Sequence, residues 1–211
     1  MSDTESSPRK LPRAVFLGYC AKGYGPISEL HDWGGVAEVC SASGCIAGFP
    51  PNWSDHLFEP PCLNRAGCTD TAAAARERVP EPERPAYRIF AYRAIPAVFG
   101  KADPTPEVVA PGALFEPYNY LPGLPPEPDL SGFDRLGFDV VQYSGAFNWG
   151  CSPLSCNSMY QHHVINRYCL IDTVEGAAAA ARSFGRTEPE PGPYMIIEVF
   201  RERESAHTTG G

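Results

Sequence analysis

The chain has 211 residues, and its 43% hydrophobic content suffices for an ordinary globular core. A net charge of -8 with no run of Lys or Arg excludes the usual pattern of a protein that binds nucleic-acid phosphates. No stretch approaches the roughly 20 apolar residues that cross a bilayer, and residues 1–10 lack the apolar core of a secretory signal. We therefore expect a cytoplasmic protein with neither a nucleic-acid nor a membrane partner.

The 23 prolines and 20 glycines favour a long-looped α+β fold over a helical bundle. In the first half, the apolar residues 14–20 predict a strand. Asp70 or Thr71 is suited to cap a helix over residues 72–79, because its side-chain oxygen accepts unpaired first-turn N–H groups. The aromatic and β-branched residues 87–99 predict a second strand with an interruption near Pro96.

The second half has the same order of elements. Residues 136–144 and 194–201 predict strands, and Asp172 or Thr173 precedes an alanine-rich helix. That helix is predicted to reach Phe184, with Gly185 as the residue just past its end. The halves are joined by residues 101–130, whose eight prolines predict an extended linker across the surface. The predicted organisation is mobile tails at 1–10 and 203–211, repeats at 11–100 and 131–202, and the linker.

Two stretches of the chain resemble each other. The later one contains, in order, Cys151, Cys156, Asn166-Arg167, Cys169 and Asp172-Thr173. The earlier one contains Cys40, Cys45, Asn64-Arg65, Cys68 and Asp70-Thr71. This agreement predicts an internal duplication in which Cys68 and Cys169 occupy matching places before the two helices. The arginines are expected to hold backbone carbonyls, although an arginine fork can also bind a carboxylate or a phosphate.

The element order β, insert, α, β, given twice, is that of a ferredoxin-like split βαβ fold, an antiparallel sheet with both helices on one face. In that fold the first strands of the two halves lie side by side in the centre, and their carboxyl ends point to opposite edges. We therefore expect the first insert (residues 31–67) and the second insert (residues 151–169) to lie far apart. Each half would then complete its own site. Exposed edge strands also make a homodimer plausible.

The cysteines of the inserts suggest metal binding. Cys40 and Cys45 stand five positions apart, as do Cys151 and Cys156, and thiolate with imidazole ligands favours zinc. His56 is the candidate partner in the first insert, where His31, Cys62 and Cys68 are further options. His163 is the candidate in the second, where His162 and Cys169 are further options. The histidines do not align between the halves, and thiols packed in loops are the competing interpretation.

Two other functions remain open. A cysteine-dependent hydrolase or transferase would use Cys156 or Cys169 with His163, because an imidazole or a helix N-terminus lowers the pKa of a thiol. Alternatively, Cys151 and Cys156 could alternate between dithiol and disulfide. The leading hypothesis is a metal-binding or interaction module for a protein or small-molecule partner. A pure scaffold without any site is the third class.

Overall fold

A computed structural model of the chain describes residues 10–23, 35–46, 48–51, 53, 63–100, 105–143, 150–187, 189–190 and 192–204. The strands are β1 (Val15–Gly23), β2 (Tyr87–Phe99), β3 (Glu107–Val108), β4 (Phe133–Gln142) and β5 (Tyr194–Glu202). The α-helices are α1 (Ala72–Glu77), α2 (Pro153–Cys156) and α3 (Val174–Thr187). Short 3₁₀ turns occupy Glu81–Ala86, Pro111–Ala113, Glu116–Tyr118 and Met159–His162. Among these described residues, none of the helices combines the length and the apolar composition that a membrane span requires.

All five strands form one antiparallel sheet in the order β1-β2-β5-β4, with β3 pairing with β2. The mixed α+β class expected from the sequence is therefore observed. The strand order differs from that of a split βαβ sheet. The first strand of each half lies outside the central pair β2 and β5, and each half pairs its own two strands antiparallel instead of leaving them parallel and apart.

Two glycines set the geometry of the outer strands. Gly18 lies opposite Tyr92, Tyr92 opposite Val199, and Val199 opposite Gly137, so both glycines lie in one row of the sheet. Each follows a register shift and has a positive φ, +125° for Gly18 and +142° for Gly137. A Cβ at Gly18 would lie 2.6 Å from the carbonyl oxygen of Thr69. Both space and backbone conformation therefore require glycine here.

The helices begin as predicted. The Thr71 hydroxyl accepts a hydrogen bond from the Ala74 amide at 3.1 Å, and Thr173 does the same for the Gly176 amide at 3.1 Å. The prediction that Gly185 follows the end of α3 is wrong, because the helix continues to Thr187. Gly185 is buried within the helix, so tertiary packing outweighs the weak intrinsic preference of glycine.

The proline-rich stretch is attached to the core. Within its described residues, Leu114 and Phe115 are fully buried, and β3 pairs with the end of β2. This differs from the predicted surface linker, because apolar side chains between the prolines have a place to pack. The predicted interruption near Pro96 is observed as a register shift between Ile95 and Val98.

Matching asparagines connect the outer strands to the loops before the helices. The Asn64 side chain donates to the Leu17 carbonyl at 2.9 Å and accepts from the amides of Ala66 and Cys68. In the second half, Asn166 donates to Leu136 and accepts from Tyr168 and Leu170. By these contacts the counterpart of Cys68 is Leu170. The proposed equivalence of Cys68 and Cys169 is therefore wrong by one residue.

Candidate metal centre

Three cysteine sulfurs from the two inserts lie together. The Sγ atoms of Cys45, Cys151 and Cys156 all lie within 4.8 Å of one another, and those of Cys45 and Cys151 are 3.2 Å apart. Cys45 is exposed, and the other two are half-buried. The expectation that the inserts lie far apart is therefore wrong. One cluster contains cysteines from both halves of the chain.

The course of the first insert explains this meeting. Its backbone runs along the second insert, where the Ala37 amide donates to the Arg167 carbonyl at 2.8 Å and the Cys40 amide to the Tyr168 carbonyl at 3.1 Å. An ion pair of 2.6 Å between Arg201 and Glu38 holds the same segment against β5. The first insert therefore brings Cys45 to the second insert. The direction in which β1 ends does not determine where Cys45 lies.

A buried carboxylate joins the two cysteine-bearing segments. Asp139 on β4 is fully buried, and its Oδ2 accepts from the Ser41 hydroxyl at 2.7 Å and the Ala42 amide at 2.8 Å. Its Oδ1 accepts from the Ser152 hydroxyl at 2.6 Å and the Val140 amide at 2.8 Å. Burial raises the pKa of Asp139, and these donated hydrogen bonds oppose the rise. Asp139 thus fixes the first segment relative to the second.

A buried cation holds the first segment from the other side. Lys22, near the end of β1, is 1% exposed, and its ammonium donates to the carbonyl oxygens of Ala42 and Ser43. The nitrogen lies 4.4 Å from the centroid of the Phe49 ring. Burial lowers the pKa of Lys22 to about 8. Lys22 and Asp139 therefore hold residues 41–43 between them.

Local structure in the second insert places the other two sulfurs. The Gln142 amide at the end of β4 donates to the Cys151 carbonyl at 3.0 Å. The Ser152 carbonyl accepts from the Cys156 amide at 2.7 Å, which closes the single turn of α2. Pro153 begins this turn, a position where its missing N–H costs nothing. The turn brings Cys156 back beside Cys151.

The three thiols differ in acidity. A hydrogen bond from the Ser43 hydroxyl lowers the pKa of Cys45 against the effect of burial, and the Cys151 thiol contributes in the same direction. The hydrogen bond to Cys45, followed by burial, raises the pKa of Cys151 to about 12. Burial also raises the pKa of Cys156. Without a metal, Cys45 is thus the first of the three to become a thiolate; a bound cation would favour the thiolate form of all three.

The remaining candidate ligands lie elsewhere or outside the described residues. Cys40 is buried and is not one of the clustered sulfurs, and burial raises the pKa of its thiol. The His163 ring lies edge-on to Phe184 at 5.1 Å, and its Nε2 has no hydrogen-bond partner in the described part of the chain. Burial, followed by the charge of neighbouring His162, lowers the pKa of His163. His31, His56 and Cys62 fall outside the described residues.

A second close pair of thiols lies in the core. The Cys20 thiol contacts the Cys68 sulfur at 3.1 Å, and the two residues are 1% and 0% exposed. Burial raises the pKa of Cys68 well above its usual range. Cys169 is buried as well, with a pKa raised to about 12 by burial. These thiols therefore behave as core residues.

Sequence reasoning did not identify the residues that support the cluster. Asp139 lies in the predicted strand at residues 136–144 and Lys22 lies just beyond the predicted strand at residues 14–20, and the sequence analysis gives neither of them a role. A charged residue in a strand that is otherwise apolar is the available signal, because such a side chain is rarely buried without partners. Serines also support the cluster, two in Cys40-Ser-Ala-Ser-Gly-Cys45 and two in Cys151-Ser-Pro-Leu-Ser-Cys156. In the sequence they indicate only turn formation.

Comparison of the chain with protein-family models, with curated proteins and with solved structures found no match.

Proposed function

We propose that this protein binds one zinc ion through the sulfurs of Cys45, Cys151 and Cys156. The observation that carries the proposal is the approach of three sulfurs from two distant segments to within 4.8 Å of one another. Zinc–thiolate bonds of about 2.3 Å in a tetrahedral site separate two sulfurs by about 3.8 Å. This separation lies between the 3.2 Å distance of the Cys45 and Cys151 sulfurs and the 4.8 Å limit within which all three sulfurs lie. Thiolate ligands favour zinc over oxygen-preferring cations such as Mg²⁺ and Ca²⁺.

The surroundings support this use of the cluster. Asp139 and Lys22 fix the backbone before Cys45 through buried hydrogen bonds, and Asp139 also binds Ser152 between the other two cysteines. A site held by contacts of this kind is ordered before the ion arrives, which reduces the entropic cost of binding. A structural zinc site has four ligands, and a catalytic site has three plus water. The fourth ligand here is either a water molecule or a side chain such as His56.

The test is the metal content of protein purified without chelators, measured by elemental mass spectrometry. We expect about one zinc per chain, and loss of this zinc in C45A, C151A and C156A. The matched control is C40A, which removes a thiol from the same insert outside the cluster. Cobalt replacement should give the near-ultraviolet absorption of thiolate-to-cobalt charge transfer. Metal-free protein that also fails to bind added zinc or cobalt would contradict the proposal and leave the scaffold hypothesis ahead.

The variant H56A tests the origin of the fourth ligand. If His56 binds the ion, H56A weakens zinc affinity and changes the visible cobalt spectrum. If water completes the site, both remain as in the unmodified protein. The catalytic alternative pairs Cys156 or Cys169 with His163. The Cys169 thiol is buried with a pKa raised to about 12, and burial also raises the pKa of Cys156, which favours neither thiol as a nucleophile.

We also propose that the two halves are copies of one ancestral unit. Support comes from Asn64 and Asn166, which make the same set of hydrogen bonds, and from Gly18 and Gly137, which share one row of the sheet. On this proposal the metal site arose where the two inserts meet. It is a feature of the pair and not of either half alone.

A further inference from the structure

The closest two sulfurs of the cluster are near bonding distance. The Sγ atoms of Cys45 and Cys151 are 3.2 Å apart, and in a disulfide they would be about 2.0 Å apart. A movement of about 1 Å would therefore join them. The two residues are 106 positions apart in the chain, so the bond would connect the two inserts.

Contacts that involve no sulfur keep these two cysteines together. Asp139 binds Ala42 and Ser152, and Lys22 binds the carbonyl oxygens of Ala42 and Ser43. The proximity of Cys45 to Cys151 therefore depends on the folded backbone and not on a metal ion. The two sulfurs therefore remain close enough to form a bond when no ion is bound.

Exposure distinguishes this pair from the other close thiols. Cys20 and Cys68 lie 3.1 Å apart, but both are buried, so a dissolved oxidant cannot reach either sulfur without unfolding. Cys45 is exposed and Cys151 is half-buried. Of these two pairs, which have nearly equal sulfur–sulfur distances, Cys45 with Cys151 is the one that a small molecule can reach.

We propose that Cys45 and Cys151 form a reversible disulfide by exchange with a small-molecule disulfide, and that this bond expels the metal ion. The Cys45 sulfur attacks one sulfur of the oxidant, forms a mixed disulfide and releases the first thiolate. The Cys151 sulfur then attacks the Cys45 sulfur, forms the Cys45–Cys151 bond and releases the second thiolate. The oxidant gains two electrons, and the two protein sulfurs lose them.

The expulsion step rests on the proposed function. A disulfide sulfur is a poor metal ligand, because the thiolate is the form that binds metal. Bond formation therefore removes two of the three thiolate ligands and leaves Cys156 as the remaining thiolate. The ion departs as Zn²⁺, and the two released thiolates take protons from water. A reducing thiol reverses the exchange and restores the site.

The experiment exposes the zinc-loaded full chain to glutathione disulfide at several ratios to glutathione. Released zinc is followed with a colorimetric chelator, and disulfides are mapped by mass spectrometry after alkylation in acid. We expect one zinc released for each Cys45–Cys151 bond formed, with both events reversed by dithiothreitol. In the metal-free variant C151A, the glutathionyl adduct should accumulate on Cys45, and in metal-free C45A the rate of adduct formation at Cys151 should be at least about tenfold lower than the rate at Cys45 in C151A.

Three results would overturn the inference: zinc loss without the Cys45–Cys151 bond, prior formation of a Cys45–Cys156 or Cys20–Cys68 bond, or no disulfide at any ratio. The metal-free chain, treated in the same way, separates this inference from the proposed function. A chain that binds no zinc but forms the Cys45–Cys151 bond refutes metal binding and retains the exchange. A chain that keeps its zinc and forms no bond refutes the exchange and retains metal binding. Folding of each variant is checked by circular dichroism.

Discussion

Asp139 forms hydrogen bonds with both cysteine-bearing segments. Its two oxygens each face one backbone amide and one serine hydroxyl. In D139N, one oxygen becomes an NH₂ donor, so the amide of either Ala42 or Val140 loses its acceptor in a fully buried place. A serine hydroxyl can rotate to accept a hydrogen bond, but a backbone N–H cannot. The substitution therefore cannot be accommodated without an unsatisfied group.

We predict that D139N lowers the free energy of unfolding by about 2–4 kcal/mol, the cost of an unsatisfied buried group next to broken charged hydrogen bonds. Zinc affinity should fall about tenfold, as when other groups that orient metal ligands are removed. Urea unfolding and competition with a chelator measure the two effects. The control is D134N on the same strand, where an exposed carboxylate pairs with Arg203. Equal stability of the two variants would contradict the role assigned to Asp139.

Lys22 gives a prediction about pH. Its pKa is lowered to about 8 by burial, with charges of Cys20 and Asp139 opposing this shift, whereas an unfolded lysine has a pKa of about 10.4. Between these values the unfolded chain binds more protons than the folded one, so the contribution of Lys22 to stability rises with pH. Below pH 8 both states are protonated, and the contribution is at its lowest.

We therefore expect the free energy of unfolding of the unmodified protein, minus that of K22M, to increase by about 2 kcal/mol between pH 7 and pH 9.5. The buried thiols, whose pKa values are raised, lower the free energy of unfolding of both proteins as pH rises. The comparison with K22M cancels this shared effect. Urea titrations at the two pH values provide the difference. A constant difference would show that the buried ammonium keeps an ordinary pKa, and a difference that falls with rising pH would show a raised pKa; either result contradicts the prediction.

Asn64 and Asn166 allow a matched comparison of the two loops that precede helices. Each holds an outer strand against the loop that precedes a helix, but Asn64 is 1% exposed whereas Asn166 is half-buried. We predict that N64A costs about 2–4 kcal/mol of unfolding free energy, because it leaves several buried backbone groups without partners. N166A should cost less, because water can replace part of the lost bonding. Urea unfolding ranks the pair, and the reverse order would refute the argument.

Sequence patterns predicted the elements well, because strand and helix signals are local. The strands at residues 14–20 and 87–99, and the threonine caps Thr71 and Thr173, agree with the observed elements within a few residues. The end of α3 was missed, since burial of Gly185 depends on tertiary packing. The strand order was missed for a similar reason. Element order alone does not determine which strands pair.

The arrangement of the strands decides whether the two inserts can meet. With the first strands placed in the centre, the inserts lie at opposite edges of the sheet and cannot share a cluster. Cys45, Cys151 and Cys156 meet because residues 37–40 run along the second insert through backbone hydrogen bonds, for which the sequence carries no signal. Cysteine spacing predicted the residue type of the candidate cluster. The combination of these three cysteines required the structure.

Because the sulfurs come from segments 106 residues apart, zinc would tie the two halves to each other in the folded state only. A ligand that binds only the folded state stabilises it by RT ln(1 + [L]/Kd), about 2.7 kcal/mol at a free concentration of 100 Kd. We predict that zinc raises the urea midpoint accordingly without changing the m-value, and that EDTA reverses the effect. C156A should unfold at the same midpoint with and without zinc, whereas C40A should retain the full zinc response. A response that survives in C156A would mean that the stabilising zinc binds somewhere else.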